Sequence, residues 1–182
     1  MQTSVGLATY FAQHNKGAYH NLYMTFTSQP EFIKLRDGDS LHECVRKVAT
    51  TKMGYSTNLE AAFMAILKHA QQYNVSNHEM PKALIVVSDM EIDRYMRKSY
   101  SWDFIDEMKR RFKKVGYDLP KIILWNVEAR NDTFLSQSED VLFISGQSAS
   151  SFKELCNNLN GVTAYDLMLK VLNGPAYARV VI

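Results

Sequence analysis

The sequence lacks a large excess of charge, a cysteine framework and any long apolar run. Its formal net charge is +2, which provides no global field for binding nucleic acid or an anionic membrane. Cys44 and Cys156 are far apart and without metal-ligand spacing, so we expect reduced thiols in a cytoplasmic protein. No apolar run approaches the ~20 residues of a membrane helix, and the N-terminus lacks the positive region of a signal peptide. We therefore expect no membrane partner.

The usual signatures of catalytic and metal sites are missing as well. The five histidines are scattered, with no HxH or HExxH spacing. Neither the phosphate-binding GxxxxGK[ST] pattern nor the hydrolase GxSxG pattern occurs. The sequence therefore gives no indication of a P-loop nucleotide-binding protein, a zinc protease or a serine hydrolase of the common types.

One stretch organises the rest of the chain. The apolar run 83–87 (Ala-Leu-Ile-Val-Val) is followed by Ser88 and Asp89. A short, continuous run rich in β-branched residues is typical of a strand buried on both faces. Open parallel sheets bind ligands at the carboxyl ends of their strands. Asp89 is therefore the first candidate site residue.

Strand-like and helix-like segments alternate along the sequence. Strands are predicted at 21–27, 31–35, 83–87, 121–127, 141–145 and 178–182. Helices are predicted at 2–15, 40–50, 58–73, 101–115, from Ser148 or Ser150 to 159, and at 163–172. This alternation predicts a single α/β domain, residues 1–182, with a doubly wound, mainly parallel sheet. Right-handed crossovers bring one set of loops together. These loops contain Ser56, Thr57, Asn58, Ser88, Asp89, Asn126 and Gly146.

Two of these segments carry a family resemblance. Ser56-Thr57-Asn58-Leu59-Glu60-Ala61-Ala62, followed by Ile85-Val86-Val87-Ser88-Asp89, resembles motifs two and three of the von Willebrand factor A domain. In that family a threonine before a helix and an aspartate after a buried strand help to form a metal-ion-dependent adhesion site. The resemblance implies a Rossmann-like fold.

A closer resemblance covers nearly the whole chain. It is to a family of bacterial, phage and plant proteins of unknown function, whose C-terminal half is a von Willebrand A-type domain akin to that of the Ro ribonucleoprotein. Four separated motifs carry it in the right order: Val87-Ser88-Asp89-Met90-Glu91, Phe112-Lys113-Lys114-Val115-Gly116-Tyr117, Leu124-Trp125-Asn126 and Leu169-Lys170-Val171-Leu172-Asn173-Gly174.

The sequence departs from that family at its beginning. The family's first motif, Asp-x-Ser-x-Ser at the end of the first central strand, supplies most of the metal's direct protein ligands. This sequence has neither that motif nor a strand before Gln2, so it resembles a member cut just after the motif. We therefore expect a sheet that lacks its usual first central strand. The strands containing Leu22 and Leu84 are expected to pair directly or to border an open gap, rather than to accept the tail 178–182.

The resemblance implies a non-enzymatic binding module, either of the adhesion-site type or a ribonucleoprotein interaction domain. Thr57 and Asp89 would bind Mg²⁺ or another divalent cation weakly, because the first motif is missing. An acidic side chain of a protein partner would complete the metal's coordination, and RNA is the other implied partner. The residues implied in partner contact are Ser56, Asn58, Ser88 and Asn126.

Each of these residues also fits a structural role. Thr57, with Glu60 three residues on, fits a helix N-cap, and Asp89 fits a carboxylate bonded to loop amides. Trp125 and Tyr55 could stack on a partner. Both also fit a structural place in the core or at its rim. The basic residues between 109 and 114 fall at the end of a predicted helix, where they suit the helix dipole.

The functional alternative is a metal-dependent, phosphatase-like hydrolase that uses Asp89. Haloacid-dehalogenase-type phosphatases have Asp-x-Asp after a buried strand, with one carboxylate as the nucleophile and the other as the acid and base. Here the residue two positions after Asp89 is Glu91, and the threonine of that family is missing. The pattern therefore favours a chain that is not an enzyme.

Overall fold

The computed structural model describes residues 2–25, 27–50, 58–88, 102–128, 133–136, 140–159 and 164–175. Helices and strands alternate through these ranges, as predicted. The helices are α1 (Gln2–His14), α2 (Leu41–Ala49), α3 (Leu59–Gln72), α4 (Trp102–Lys114), α5 (Ala149–Leu159) and α6 (Ala164–Leu172). The strands are β1 (Leu22–Met24), β2 (Phe32–Lys34), β3 (Ala83–Ser88), β4 (Lys121–Asn126), β5 (Thr133–Ser136) and β6 (Val141–Ser145). None of these described helices combines the length and apolarity needed to cross a bilayer.

The strands form two separate sheets. β1 and β2 make an antiparallel hairpin. The other sheet has the order β3-β4-β6-β5, in which β3, β4 and β6 are parallel and β5 is antiparallel to β6. The protein is thus a mixed α/β structure with a three-stranded parallel core, which confirms the predicted class at this level. The antiparallel strand β5 was not predicted.

Side chains of β4 alternate between two hydrophobic clusters. Ile122 and Leu124 pack on one face, in the cluster that contains Phe63 of α3 and part of α4. Ile123 and Trp125 pack on the other face, against residues of α1 and α5. Helices therefore cover both faces of the parallel strands, which is why these strands read as continuous apolar runs.

The beginning of α3 differs from the prediction by one residue. Asn58 is the N-cap, and its Oδ1 accepts a hydrogen bond from the N–H of Ala61 at 2.9 Å. Thr57 was expected to hold this position, but asparagine ranks above threonine as a cap, and Thr57 lies outside the described residues. The predicted apolar stripe of α3 is buried in full: Leu59, Ala62, Phe63, Ile66, Leu67 and Ala70.

The inward face of α4 also follows the prediction, except at its end. Ile105, Met108 and Phe112 are buried, but Val115 is 41% exposed. The helix ends at Lys114, so Val115 no longer follows the helical repeat that was expected to turn it inward. Gly116, with a φ of +85°, then reverses the chain.

The predicted direct pairing of the first strand with the apolar run 83–87 is wrong. β1 and β3 belong to different sheets and are not hydrogen-bonded to each other. α1 packs against both strands, and the cluster around α3 contains residues of both sheets. The helices thus join the two sheets, and no described strand pairs with both β1 and β3. The alternative of an open gap stays a prediction. The tail 178–182 lies outside the described residues.

The two cysteines are separate thiols, as expected. Cys44 is buried, Cys156 is half-buried, and neither forms a disulfide. Burial raises the pKa of both thiols, which keeps them protonated and makes them poor nucleophiles.

Candidate functional site

Polar residues end the three parallel strands at the same level. Ser88 ends β3, Asn126 ends β4 and Ser145 ends β6. In the register of the sheet, Asn126 lies opposite Ser88 on one side and opposite Ser145 on the other. We call these three residues the polar row. They lie at the carboxyl end of a parallel sheet, where α/β proteins bind their ligands, and this makes the polar row the candidate site.

Hydrogen bonds to the backbone fix the middle of the polar row. Oδ1 of Asn126 accepts from the N–H of Glu128 at 3.0 Å, and the carbonyl of Asn126 accepts from the N–H of Gly146 at 2.9 Å. Nε1 of Trp125 donates to the carbonyl of Gly146 at 2.8 Å. The indole is 2% exposed, so Trp125 supports the site from the core and does not stack on a partner. Tyr55 lies outside the described residues.

Serines shape the turn from β6 into α5. Oγ of Ser148 accepts from the N–H of Ser151 at 3.1 Å, in the manner of a helix cap. The hydroxyl of Ser151 donates to the carbonyl of Ser145 at 3.2 Å, and Gln147 donates through Nε2 to the carbonyl of Val127. These contacts tie the end of the polar row to the first turn of α5.

Sequence reasoning did not name Ser145, Ser148 or Ser151 as site residues. A usable signal was present, because Ser145 follows an apolar strand and precedes a glycine. The register between β4 and β6, which puts Ser145 beside Asn126, is a property of the folded sheet.

Asn58, a predicted partner-binding residue, lies toward the same end of the sheet. The other end of α3 is marked by Tyr117, whose hydroxyl donates to the carbonyl of Val75 at 2.9 Å. Tyr117 precedes β4 and so marks the amino end of the sheet. α3 has 14 residues, which corresponds to a length of about 21 Å. Because the end of α3 lies near the amino end of the sheet, its first residue lies toward the carboxyl end.

The remaining predicted site residues are Ser56, Thr57 and Asp89. All three lie outside the described residues, as does the carboxylate run that follows Asp89. Their predicted roles as partner contact and metal ligands stay predictions. Ser88, which directly precedes Asp89, is placed in the polar row.

The described oxygens at this end do not compose a divalent-cation site by themselves. Oδ1 of Asn58 and Oδ1 of Asn126 are neutral, and each already accepts a backbone N–H. Across the described ranges, no group of three or more His, Cys, Asp or Glu side chains is arranged to hold a metal. Thr57 and Asp89 stay predicted ligands.

At the amino end of the sheet, contacts that involve charged side chains connect neighbouring elements. Nζ of Lys109 lies 2.6 Å from Oδ2 of Asp140, just before β6. Nδ2 of Asn77 donates to Oδ2 of Asp118 at 2.7 Å, and the N–H of Asp118 donates to Oδ1 of Asn77 at 2.8 Å. The first contact ties α4 to the loop before β6, and the other two tie the loop before β3 to the loop before β4.

The basic run of α4 is engaged with acidic neighbours. Arg110 and Arg111 both contact Glu107, at 2.9 Å each, and Arg111 also reaches Glu60 at 2.7 Å. The hydrogen bond from Arg111 lowers the pKa of the Glu107 carboxyl. This arrangement agrees with the interpretation of the run as a solvated helix end, and it adds nothing in favour of RNA binding.

The model of the family described as "Domain of unknown function (DUF7788)" matches residues 1–164. The chain belongs to the DUF7788 family. The match includes both sheets and the polar row. The chain is also similar to "Uncharacterized protein L728" of Acanthamoeba polyphaga mimivirus, with 29% identity over 160 residues. The alignment covers 86% of this chain and 28% of that relative, so the chain spans less than a third of the relative's length. No solved structure matches the chain.

Proposed function

We propose that this chain is a non-enzymatic binding module of the von Willebrand factor A type that recognises an acidic side chain of a protein partner. The observation that carries the proposal is the polar row, in which three parallel strands end in register with Ser88, Asn126 and Ser145. Its position at the carboxyl end of the sheet is the position at which α/β domains bind ligands.

The finer fold assignment belongs to the same proposal. Helices cover both faces of β3, β4 and β6, which fits a doubly wound, Rossmann-like sheet. From the contacts of α1 with both β1 and β3, we infer the spatial order β2, β1, β3, β4, β6. This order fits a von Willebrand A-type sheet without its first central strand.

The chemistry of the polar row suits recognition. Hydroxyl and carboxamide groups donate and accept hydrogen bonds without titrating. Asn126 uses Oδ1 within its own turn, which leaves its Nδ2 group as the donor for a partner carboxylate. Acid–base catalysis needs a titratable group poised near the working pH, and the polar row contains none.

A divalent cation has a secondary place in this function. Thr57 and Asp89 offer hydroxyl and carboxylate oxygens, which Mg²⁺ accepts alongside several waters. With neutral groups as their described neighbours, we expect two such ligands to hold the cation weakly. The weakly held cation would lie beside the polar row, where the partner's carboxylate would complete its coordination.

An assay panel separates this proposal from the hydrolase alternative. We expect no phosphatase or nuclease turnover with Mg²⁺ or Mn²⁺, because recognition requires no nucleophile. The informative variant is Asp89→Asn, and Asn77→Ala at the amino end is its matched control. Metal-dependent turnover that Asp89→Asn abolishes and Asn77→Ala retains would contradict the proposal in favour of a hydrolase.

A further inference from the structure

A cluster of polar side chains, separate from the polar row, joins the end of α1 to the hairpin. Nδ1 of His20 lies 2.7 Å from the carbonyl oxygen of Asn15, and Nε2 of the same ring lies 3.2 Å from Oδ1 of Asp37. This Oδ1 also accepts a hydrogen bond from Nδ2 of Asn21 at 2.6 Å. His20 and Asn21 precede β1, whereas Asp37 lies between β2 and α2. We call His20, Asn21 and Asp37 the latch.

The two contacts of the His20 ring require a doubly protonated histidine. A backbone carbonyl and a carboxylate both accept hydrogen bonds, so each ring nitrogen that faces one of them needs its own proton. A neutral imidazole carries only one such proton, and its other nitrogen would direct a lone pair at an acceptor. The complete latch therefore contains His20 as the imidazolium ion, and the loss of one ring proton removes one of the two contacts.

The groups around the ring favour the charged form on balance. The hydrogen bond to the carbonyl of Asn15, followed by the one to Asp37, raises the pKa of His20. Lys34 at the end of β2 opposes this shift, because a second positive charge disfavours the cation. The hydrogen bond with His20 lowers the pKa of the Asp37 carboxyl, so Asp37 stays ionised at neutral pH. His14, in the last turn of α1, bonds within its own helix.

The latch holds a residue at which several backbone contacts converge. Asn21 is buried, and its φ of +59° lies in the left-handed region, which few residues other than glycine and asparagine adopt. Its N–H donates to the carbonyl of Ala12 in α1 at 2.8 Å, and its carbonyl accepts from the N–H of Leu35, just after β2, at 2.8 Å. α1 also packs against β3. The latch thus fixes the joint between the hairpin and the helix that connects it to the parallel sheet.

We propose that the latch is a pH-dependent switch, in which the protonated ring of His20 holds the turn at Asp37 against the end of α1 and the neutral ring releases it. The side chains of His20 and Asp37 are 45% and 88% exposed, so solvent protons reach the pair in the folded chain. A group whose pKa is raised by folding stabilises the fold below its unfolded pKa, and this stabilisation is lost as the pH rises through the folded value. The latch is therefore closed at mildly acidic pH and opens above 6.5, the ordinary pKa of histidine. This switch goes beyond the function of the polar row and does not depend on what that row binds.

An NMR titration of the imidazole signals measures the protonation of His20 directly. In the native chain we expect the ring to titrate above its ordinary pKa of 6.5. In Asp37→Asn it should titrate at a lower pH, because a neutral amide replaces the carboxylate. Asp106→Asn is the matched control, because it removes the same charge from an exposed residue of α4, a helix that carries no latch residue, and it should leave the midpoint unchanged. A midpoint at or below 6.5 in the native chain, or an equal change in the two variants, would overturn the proposal.

Hydrogen exchange tests whether this titration opens the joint. After correction for the intrinsic effect of pH on exchange, the protection of the Asn21 and Leu35 amides should fall by about two- to five-fold between about pH 5.5 and about pH 8.5, the size expected for an exposed ion pair. His20→Gln, which cannot become charged, should show the lower protection at both pH values. Protection that is the same at both pH values in the native chain, or that still falls with pH in His20→Gln, would overturn the proposal.

Discussion

The two ends of the parallel sheet are built from different interactions. The amino end is joined by charged groups, including the ion pair of Lys109 with Asp140 and the paired contacts of Asn77 with Asp118. At the carboxyl end, the described parallel strands end in the neutral residues Ser88, Asn126 and Ser145, and the buried Trp125 supports them from below. A rigid scaffold that presents polar groups on short loops is the usual arrangement of a binding site. The amino end thus depends on exposed charged contacts, and the carboxyl end on a packed support below neutral groups, which is the end where the proposed function would place recognition.

The largest loss of stability is expected from removing Trp125, whose side chain supports the carboxyl end of the sheet. Trp125→Ala deletes an indole that is 2% exposed and should lower the free energy of unfolding by about 3–5 kcal/mol. Trp125→Phe keeps much of the packing, loses the bond to Gly146 and should cost about 1–3 kcal/mol. Urea unfolding measures both variants. Equal losses would contradict the view that packing dominates at this residue.

A smaller effect is expected from Asn58, which caps α3 toward the carboxyl end. Asn58→Ala removes the bond to the N–H of Ala61 and should lower the free energy of unfolding by about 1 kcal/mol. Asn58→Ser is the matched control, because serine caps helices nearly as well. Denaturant titration of the two variants gives the difference. A serine variant as unstable as the alanine variant would show that Asn58 acts through something other than its cap.

The smallest effect is expected at the amino end. Lys109→Met removes a surface ion pair whose side chains are 46% and 30% exposed, and should cost about 0.2–1 kcal/mol at low salt. The loss should shrink toward zero at about 1 M salt, where the screening length is about 3 Å. Lys114→Met, on the exposed end of the same helix, is the matched control. A loss that persists at high salt would mean that the amino end is stabilised by more than charge.

Much of the fold was predictable because burial on both faces leaves a strong signal in sequence. β3, β4 and β6 read as continuous apolar runs, and the stripe of α3 repeats with helical spacing. β5 escaped prediction because its four residues, Thr133–Ser136, are too few to show a period. Its antiparallel pairing depends on β6, which a local pattern does not report.

The candidate site was predictable in part. Ser88 and Asn126 follow apolar runs, so their place at strand ends could be inferred from sequence alone. Their alignment with Ser145 could not, because it depends on the register of three strands. The cap of α3 was assigned to Thr57 instead of Asn58 because both residue types cap helices and they are adjacent in sequence.

The central claim is that ligands bind at the carboxyl end of the sheet, and the most direct measurement is paramagnetic broadening of backbone NMR signals by Mn²⁺. The account predicts weak, saturable broadening confined to Ser88, Asn126, Ser145 and their neighbours, and its loss in Asp89→Asn. The signals of Asp118 and Asp140 at the amino end should stay sharp, and Asn77→Ala should change nothing at the carboxyl end. Broadening centred on Asp118 or Asp140, or none near the polar row at saturating Mn²⁺, would contradict the account.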